Sequence, residues 1–224
     1  MKPIAHIQTD FKEKFGIPRQ SGRVPALRGR IVFLPAFRNP DALRGIEGFS
    51  HLWLIFDFSR AHRSEWSPTV RPPRLGGNKK IGVFASRSPF RPNPVGLSSV
   101  RLAGIEHTEH EGDVLLVEGA DLLDGTPIYD ITPYRPFTDC HPDAVGGYAD
   151  DVRDHRLAVQ IADSLLKRIP PDKREAVIAC LEEDPRPSYQ EDPERVYSMR
   201  FADMDVHFTV SRDIVTVTAI DKLP

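Results

Sequence analysis

Arg87-Ser88-Pro89-Phe90-Arg91-Pro92-Asn93-Pro94-Val95-Gly96 runs straight into the candidate strand that ends at Leu102, and it decides how the first two thirds of the chain are read. Proline fixes φ and removes a backbone donor, so prolines at 89, 92 and 94 exclude a helix and leave a stiff loop entering a strand. Prolines cluster in the same way from Pro68 to Pro94 and from Pro127 to Pro142. Between these loops lie short runs rich in Val, Ile and Phe, which predict strands over Ile4–Thr9, Ile31–Leu34, His51–Phe58, Ile81–Ala85, Gly96–Leu102, Val114–Glu118 and Ile128–Thr132. No alternation of strands with ten-residue helices accompanies them, which counts against a doubly wound sheet.

Charge marks the same region. From Trp66 to Ile105 there is no Asp or Glu, while Arg71, Arg74, Lys79, Lys80, Arg87, Arg91 and Arg101 all fall inside. A net charge of -2 conceals this asymmetry, because residues 1–105 carry 18 Lys and Arg against 6 Asp and Glu and residues 106–224 carry 12 against 26. Arginines on loops stiffened by proline and opened by glycine suit a polyanion; a solvated basic face is the bland alternative.

Beyond Gly146-Gly147 the pattern changes. Residues 149–155 are polar and read as a linker, and alternation at Leu157, Val159 and Ile161 predicts a strand. Pro171-Asp172 opens a helix through Val177, Ile178 and Leu181, which Asp184-Pro185 ends, and Met204–Val210 with Val215–Ala219 reads as an antiparallel hairpin. The expected organisation is a mainly β domain over residues 1–148 and a small α+β domain over 149–224.

Several functions drop out. No run approaches the roughly 18 apolar residues of a membrane span, the longest block being Leu52-Trp53-Leu54-Ile55-Phe56. The N-terminus lacks the apolar core of a signal peptide and the two cysteines, Cys140 and Cys180, make no disulfide framework, so a cytoplasmic protein is expected. Glycine-rich dinucleotide and phosphate loops and the nucleophile elbow of serine hydrolases are absent. Cys140-His141 lacks partners at metal-ligand spacing, so no metal is expected, and His51 reads as a structural histidine. Asp121-Leu122-Leu123-Asp124-Gly125-Thr126-Pro127 reads as a tight turn that can also offer a carboxylate and backbone groups to a ribose or purine.

Taken in order, Phe15–Gln20, Gly48–Trp53, Thr69–Asn78, Gly82–Gly96 and Asp121–Pro127 resemble the successive signatures of the TsaA-like family, and Glu183-Asp184-Pro185-Arg186-Pro187-Ser188-Tyr189 is similar to its longer bacterial members. The resemblance implies a TsaA-like β-barrel followed by the small α+β domain, a homodimer, and S-adenosylmethionine bound near the dimer interface. It implies N6-methylation of N6-threonylcarbamoyladenosine at position 37, in the anticodon loop of threonine tRNA. By match of motif, the cofactor-binding residues are Pro18, Arg19, Gln20, Arg87, Leu97, Asp121, Leu122, Leu123, Asp124, Gly125 and Thr126, with Ser59 and Arg60 on a more variable segment. Asp124 is expected to serve the cofactor hydroxyls and Arg87 or Arg19 its carboxylate. Expected RNA contacts are Arg71, Arg74, Lys79 and Lys80, with Asp184, Arg186 and Tyr189 in the second domain; the catalytic base is not assigned. A non-catalytic RNA-binding barrel and a methyltransferase of the same fold with another substrate are the alternatives.

Overall fold

The computed structural model describes every residue except 73, 74, 76–78, 153, 154, 188, 189, 191 and 224. In chain order the first strands are β1 (Ala5–Thr9), β2 (Arg28–Phe33), β3 (His51–Asp57), the short β4 (Thr69–Val70) and β5 (Ile81–Gly82), then β6 (Val95–Thr108), β7 (Gly112–Glu118) and β8 (Thr126–Pro133). Six of them close a barrel in the order β1-β2-β7-β6-β3-β8, every pairing antiparallel, with β8 returning to β1. The alternation of β3 shows why. Leu52, Leu54 and Phe56 turn inward while Trp53 and Asp57 turn out, and Ile7, Ile31, Leu115 and Ile128 fill the interior from neighbouring strands. At Gly96 of β6 an added Cβ would overlap the Phe56 ring, so only glycine lets the two strands pack there.

The remaining elements are α1 (Pro136–Asp139), β9 (Ala158–Gln160), α2 (Asp163–Leu166), α3 (Arg174–Glu182), β10 (Tyr197–Phe201), β11 (Met204–Ser211) and β12 (Ile214–Lys222). They form a second sheet, β10-β11-β12-β9, with β9 parallel to β12 and α3 packed near β9. Its core holds Val177, Leu181, Met199, Phe201, Val206 and Phe208. Phe11, Val24 and Leu27, from the segment linking β1 to β2, are buried in this second core and not in the barrel. The chain therefore enters the second unit long before residue 149.

Three sequence expectations need adjustment. The strand foreseen over 81–85 stops at Gly82 and gives way to a 3-10 turn, Val83–Ala85, because Val83 N–H takes the Pro68 carbonyl and Pro68 has no N–H to return. The strand foreseen from Gly96 to Leu102 continues to Thr108 through a bulge between Leu102 and Gly104. The polar segment after Gly146 contains a 3-10 turn, Gly147–Val152. The helix at 174–182, the hairpin of β11 and β12 and the mainly β first unit agree with the sequence reading.

Candidate functional site

A cavity of about 570 Å3 opens where the β3 and β6 ends, the β1–β2 segment and the loop before β8 meet. That volume lies in the range of small-molecule sites. Its wall is largely apolar, from Trp53, Phe56, Phe58, Leu97, Leu122 and Leu123, with a few polar groups among them.

One carboxylate anchors the polar side. Ser98 Oγ, buried on β6, donates to Asp121 Oδ1 at 2.7 Å. Burial pushes the Asp121 carboxyl above its ordinary range, and the Ser98 bond, backbone donors and the Arg87 charge pull the other way without cancelling it. Arg87 in turn donates to the Gln20 side-chain oxygen, which ties the loop before β6 to the β1–β2 segment. Arg91 donates to the Ser86 carbonyl at 2.7 Å and to the Val83 carbonyl at 3.2 Å, which ties the proline-rich loop to the turn before it.

Most of the residues proposed from sequence meet here. Pro18, Arg19, Gln20, Ser59, Arg60, Arg87, Leu97, Asp121, Leu122, Leu123 and Thr126 line the cavity; Asp124 and Gly125 do not. Asp124 accepts from Thr9 N–H at 2.9 Å and from Lys12 Nζ at 2.6 Å, so its carboxylate clamps the turn to the end of β1. Gly125 takes the left-handed conformation, φ +75°, that this turn demands, and its N–H reaches the Ile7 carbonyl at 2.8 Å. Of the two aspartates in this turn, Asp121 is the one that lines the cavity.

Sequence reasoning passed over Trp53, Phe56, Asp57 and Phe58 of β3 and its exit, and Gly96 and Ser98 of β6, all of which line the cavity. Their signal was the apolar run itself, which reads as core without revealing that one end of it opens to a ligand. Asp57 is also bonded to His62 Nε2 at 2.8 Å.

The residues foreseen as RNA contacts separate into two groups. Arg71, Lys79 and Lys80 are exposed beside the β4–β5 hairpin. Arg186 instead makes a fork to Asp184, Nε to Oδ1 at 2.9 Å and Nη2 to Oδ2 at 3.1 Å, with both side chains about 12% exposed. Burial raises the Asp184 carboxyl, but the Arg186 fork and charge outweigh it and hold the group below the usual carboxylate range. Arg19 Nη2 donates to the Arg186 carbonyl at 2.9 Å, so this corner supports the loop of Pro18–Gln20 that lines the cavity. Arg74 and Tyr189 lie outside the described residues.

Among the described residues no group of three or more His, Cys, Asp and Glu is placed to hold a metal ion, and no helix is long and apolar enough to cross a membrane. Cys180 is buried, and desolvation pushes its thiol well up, so it behaves as a core residue.

Residues 6–140 match the tRNA-methyltransferase O N-terminal domain, and residues 152–223 match the TrmO C-terminal domain. The chain belongs to the tRNA-methyltransferase O family. The TsaA-like resemblance read from the loops thus holds across both units. Within the TrmO family, a tRNA (adenine(37)-N6)-methyltransferase of Escherichia coli is 41% identical over 217 residues, covering 93% of this chain and 92% of that protein. A putative S-adenosylmethionine-dependent methyltransferase, RcsF, of Pseudomonas aeruginosa is 42% identical and covers 97% of this chain and 95% of its own. The crystal structure of TrmO from Pseudomonas aeruginosa superposes with a TM-score of 0.79 at 38% identity, over 98% of this chain and 95% of that one.

Proposed function

We propose that this chain is the S-adenosylmethionine-dependent enzyme that methylates N6 of adenine 37 in tRNA. The carrying observation is the full-length kinship to the Escherichia coli tRNA (adenine(37)-N6)-methyltransferase, together with one cavity that gathers eleven of the thirteen residues assigned to cofactor from the family's motifs. The cavity's chemistry fits the group. A carboxylate at Asp121 beside Ser98 suits hydroxyls or a cationic centre, Arg87 or Arg19 suits the amino-acid carboxylate, and Leu122, Leu123 and Phe58 suit the adenine faces.

S-adenosylmethionine supplies a methyl group on a sulfonium, a good leaving group whose positive charge is lost on transfer. The protein's own task is then to hold the acceptor nitrogen in line and to keep water out, which can contribute several kcal/mol. Pro89 and Arg91 line the cavity on a loop stiffened by proline and are suited to the second task.

The finer reading is that the acceptor carries the threonylcarbamoyl group, that the tRNA is the threonine acceptor, and that the enzyme works in the cytoplasm as a homodimer. Leu97 lines the cavity with its apolar side chain 55% accessible, which supports a second copy beside it. We assign residues 1–148 to cofactor binding and 149–224 to a contact with tRNA, with the qualification that residues 10–27 are shared in packing. A non-catalytic RNA-binding barrel would have no use for the cavity.

Cells lacking this protein should lose the N6-methylated nucleoside from tRNA position 37, read by mass spectrometry of digested tRNA. An unchanged nucleoside profile would count against the assignment. Calorimetry with excess chelator should show S-adenosylmethionine binding intact; binding that vanishes with chelation would refute a metal-free site.

A further inference from the structure

The β4–β5 hairpin carries two large aromatic side chains that no core uses. Thr69 pairs with Gly82, and Val83 N–H bonds to the Pro68 carbonyl, so the ladder runs one step further and brings Trp66 and Phe84 side by side. Their ring centroids are 6.0 Å apart with planes inclined by 32°. Trp66 is 50% exposed and Phe84 is 73% exposed. The Arg91 guanidinium stands 5.9 Å from the Phe84 ring, and the Arg63 guanidinium lies 3.8 Å over the Phe90 ring. Arg71 and Lys80 flank the other end of the same ladder, both exposed. Exposed aromatic faces, interleaved with cations and free of acidic residues from Trp66 to Ile105, match the chemistry of an unpaired nucleobase: a π-face to stack and a phosphate to neutralise.

Position gives the platform its role. Phe84 lies two residues before Ser86, and Ser86, Arg87 and Arg91 line the cavity. We propose that Trp66 and Phe84 form a stacking platform for an unpaired base next to the methylated adenine in the RNA loop, and so act as positioning residues for the reaction. This rests on RNA being the substrate. The platform grips a neighbouring base while the target adenine reaches the cavity, and the basic arms at Arg71, Lys79 and Lys80 hold the backbone.

The test compares the wild-type protein with Trp66→Ala/Phe84→Ala and with the ring-preserving Trp66→Phe/Phe84→Tyr. Both side chains are exposed, so circular dichroism and the melting midpoint should be unchanged. The alanine pair should raise KM for tRNA by about tenfold to a hundredfold, the loss of a base-stacking contact, with S-adenosylmethionine affinity intact. The aromatic pair should restore it. Stacking carries no charge, so the salt dependence of RNA affinity should keep its slope, and the preference for an open stem-loop over a fully paired duplex should collapse.

Unchanged KM and unchanged loop preference in the alanine pair, with RNA still binding by fluorescence anisotropy, would overturn the platform alone. A wild-type protein that binds S-adenosylmethionine but no RNA would overturn the substrate reading and the platform with it. If light scattering showed the alanine pair to be monomeric where wild type is dimeric, the occupant would be a second copy of the chain, and the proposal would fail. If the double variant misfolds, Phe84→Ala alone, at the more exposed position, must show the same KM effect or the proposal falls.

Discussion

Asp121 and Asp124 stand three residues apart in one turn and do opposite work. Asp124 is bonded to Lys12 and to the Thr9 N–H, whereas Asp121 faces the cavity with Ser98 as its partner. Asp121→Asn should therefore weaken S-adenosylmethionine binding by about 1.5–3 kcal/mol, the worth of a charge-assisted contact. Asp124→Ala should chiefly lower the melting midpoint, and calorimetry beside thermal melts separates the two. The sign of the pH effect follows from the raised Asp121 carboxyl. A raised carboxyl binds its proton more tightly folded than unfolded, so its ionisation costs stability as pH rises from the ordinary value through the raised one, and the cost is absent below both. Asp121→Asn should remove that cost, so the unliganded variant should be at least as stable as wild type at neutral pH. Cofactor affinity should run the other way, falling as acid protonates Asp121. The residue types were legible in the sequence, but not their division of labour. Both aspartates fit an Asp-Gly turn, and only the fold shows which one β1 takes up.

The strands of the barrel were readable because β3 and β7 hold apolar runs of strand length, Leu52–Phe56 and Val114–Val117, too short for a helix. β10 was missed although Tyr197, Met199 and Phe201 alternate inward, since five residues in a charged neighbourhood give a short signal. Gly96 shows what a strand pattern hides. Gly96→Val should destabilise by about 1–3 kcal/mol through overpacking against Phe56, and urea melts of the variant should show it. The β4–β5 hairpin carries a separate electrostatic expectation. Changing Arg71, Lys79 and Lys80 to glutamine should reduce the log–log salt slope of RNA affinity by about 2, near 0.7 for each neutralised phosphate of a single strand. A merely solubilising hairpin would leave that slope where it is.

Across the whole molecule, the two units are joined by more than a linker. Phe11, Val24 and Leu27 are buried with Phe201, Phe208 and Val177, Arg23 Nε reaches Glu183 at 2.9 Å, and Lys173 meets Asp10 at 2.5 Å. Sequence composition located the change of character near Gly146, but it does not show a segment before β2 crossing into the second core, because that contact joins residues more than 150 positions apart. A fragment ending at 149 would expose Phe11, Val24 and Leu27, each worth about 1.5–3 kcal/mol of burial, and would loosen Pro18–Gln20 with them. It should lose cofactor affinity as well as tRNA methylation, and calorimetry on the fragment measures this. Glu183→Gln, which removes the buried charge that Arg23 Nε meets, should cost about 2 kcal/mol of stability, less than a wholly buried pair because Arg23 is partly exposed.

In the proposed function, this cavity and these basic loops serve one reaction on tRNA. Purified protein, unmodified in sequence, should be incubated with S-adenosylmethionine carrying a labelled methyl group and with tRNA, and the digested nucleosides analysed by mass spectrometry. Label should appear on N6 of adenine 37 and should fall by about tenfold to a hundredfold when Asp121→Asn replaces the wild-type protein at limiting cofactor. Label at another position, or cofactor binding with no label in tRNA, would contradict the proposed function.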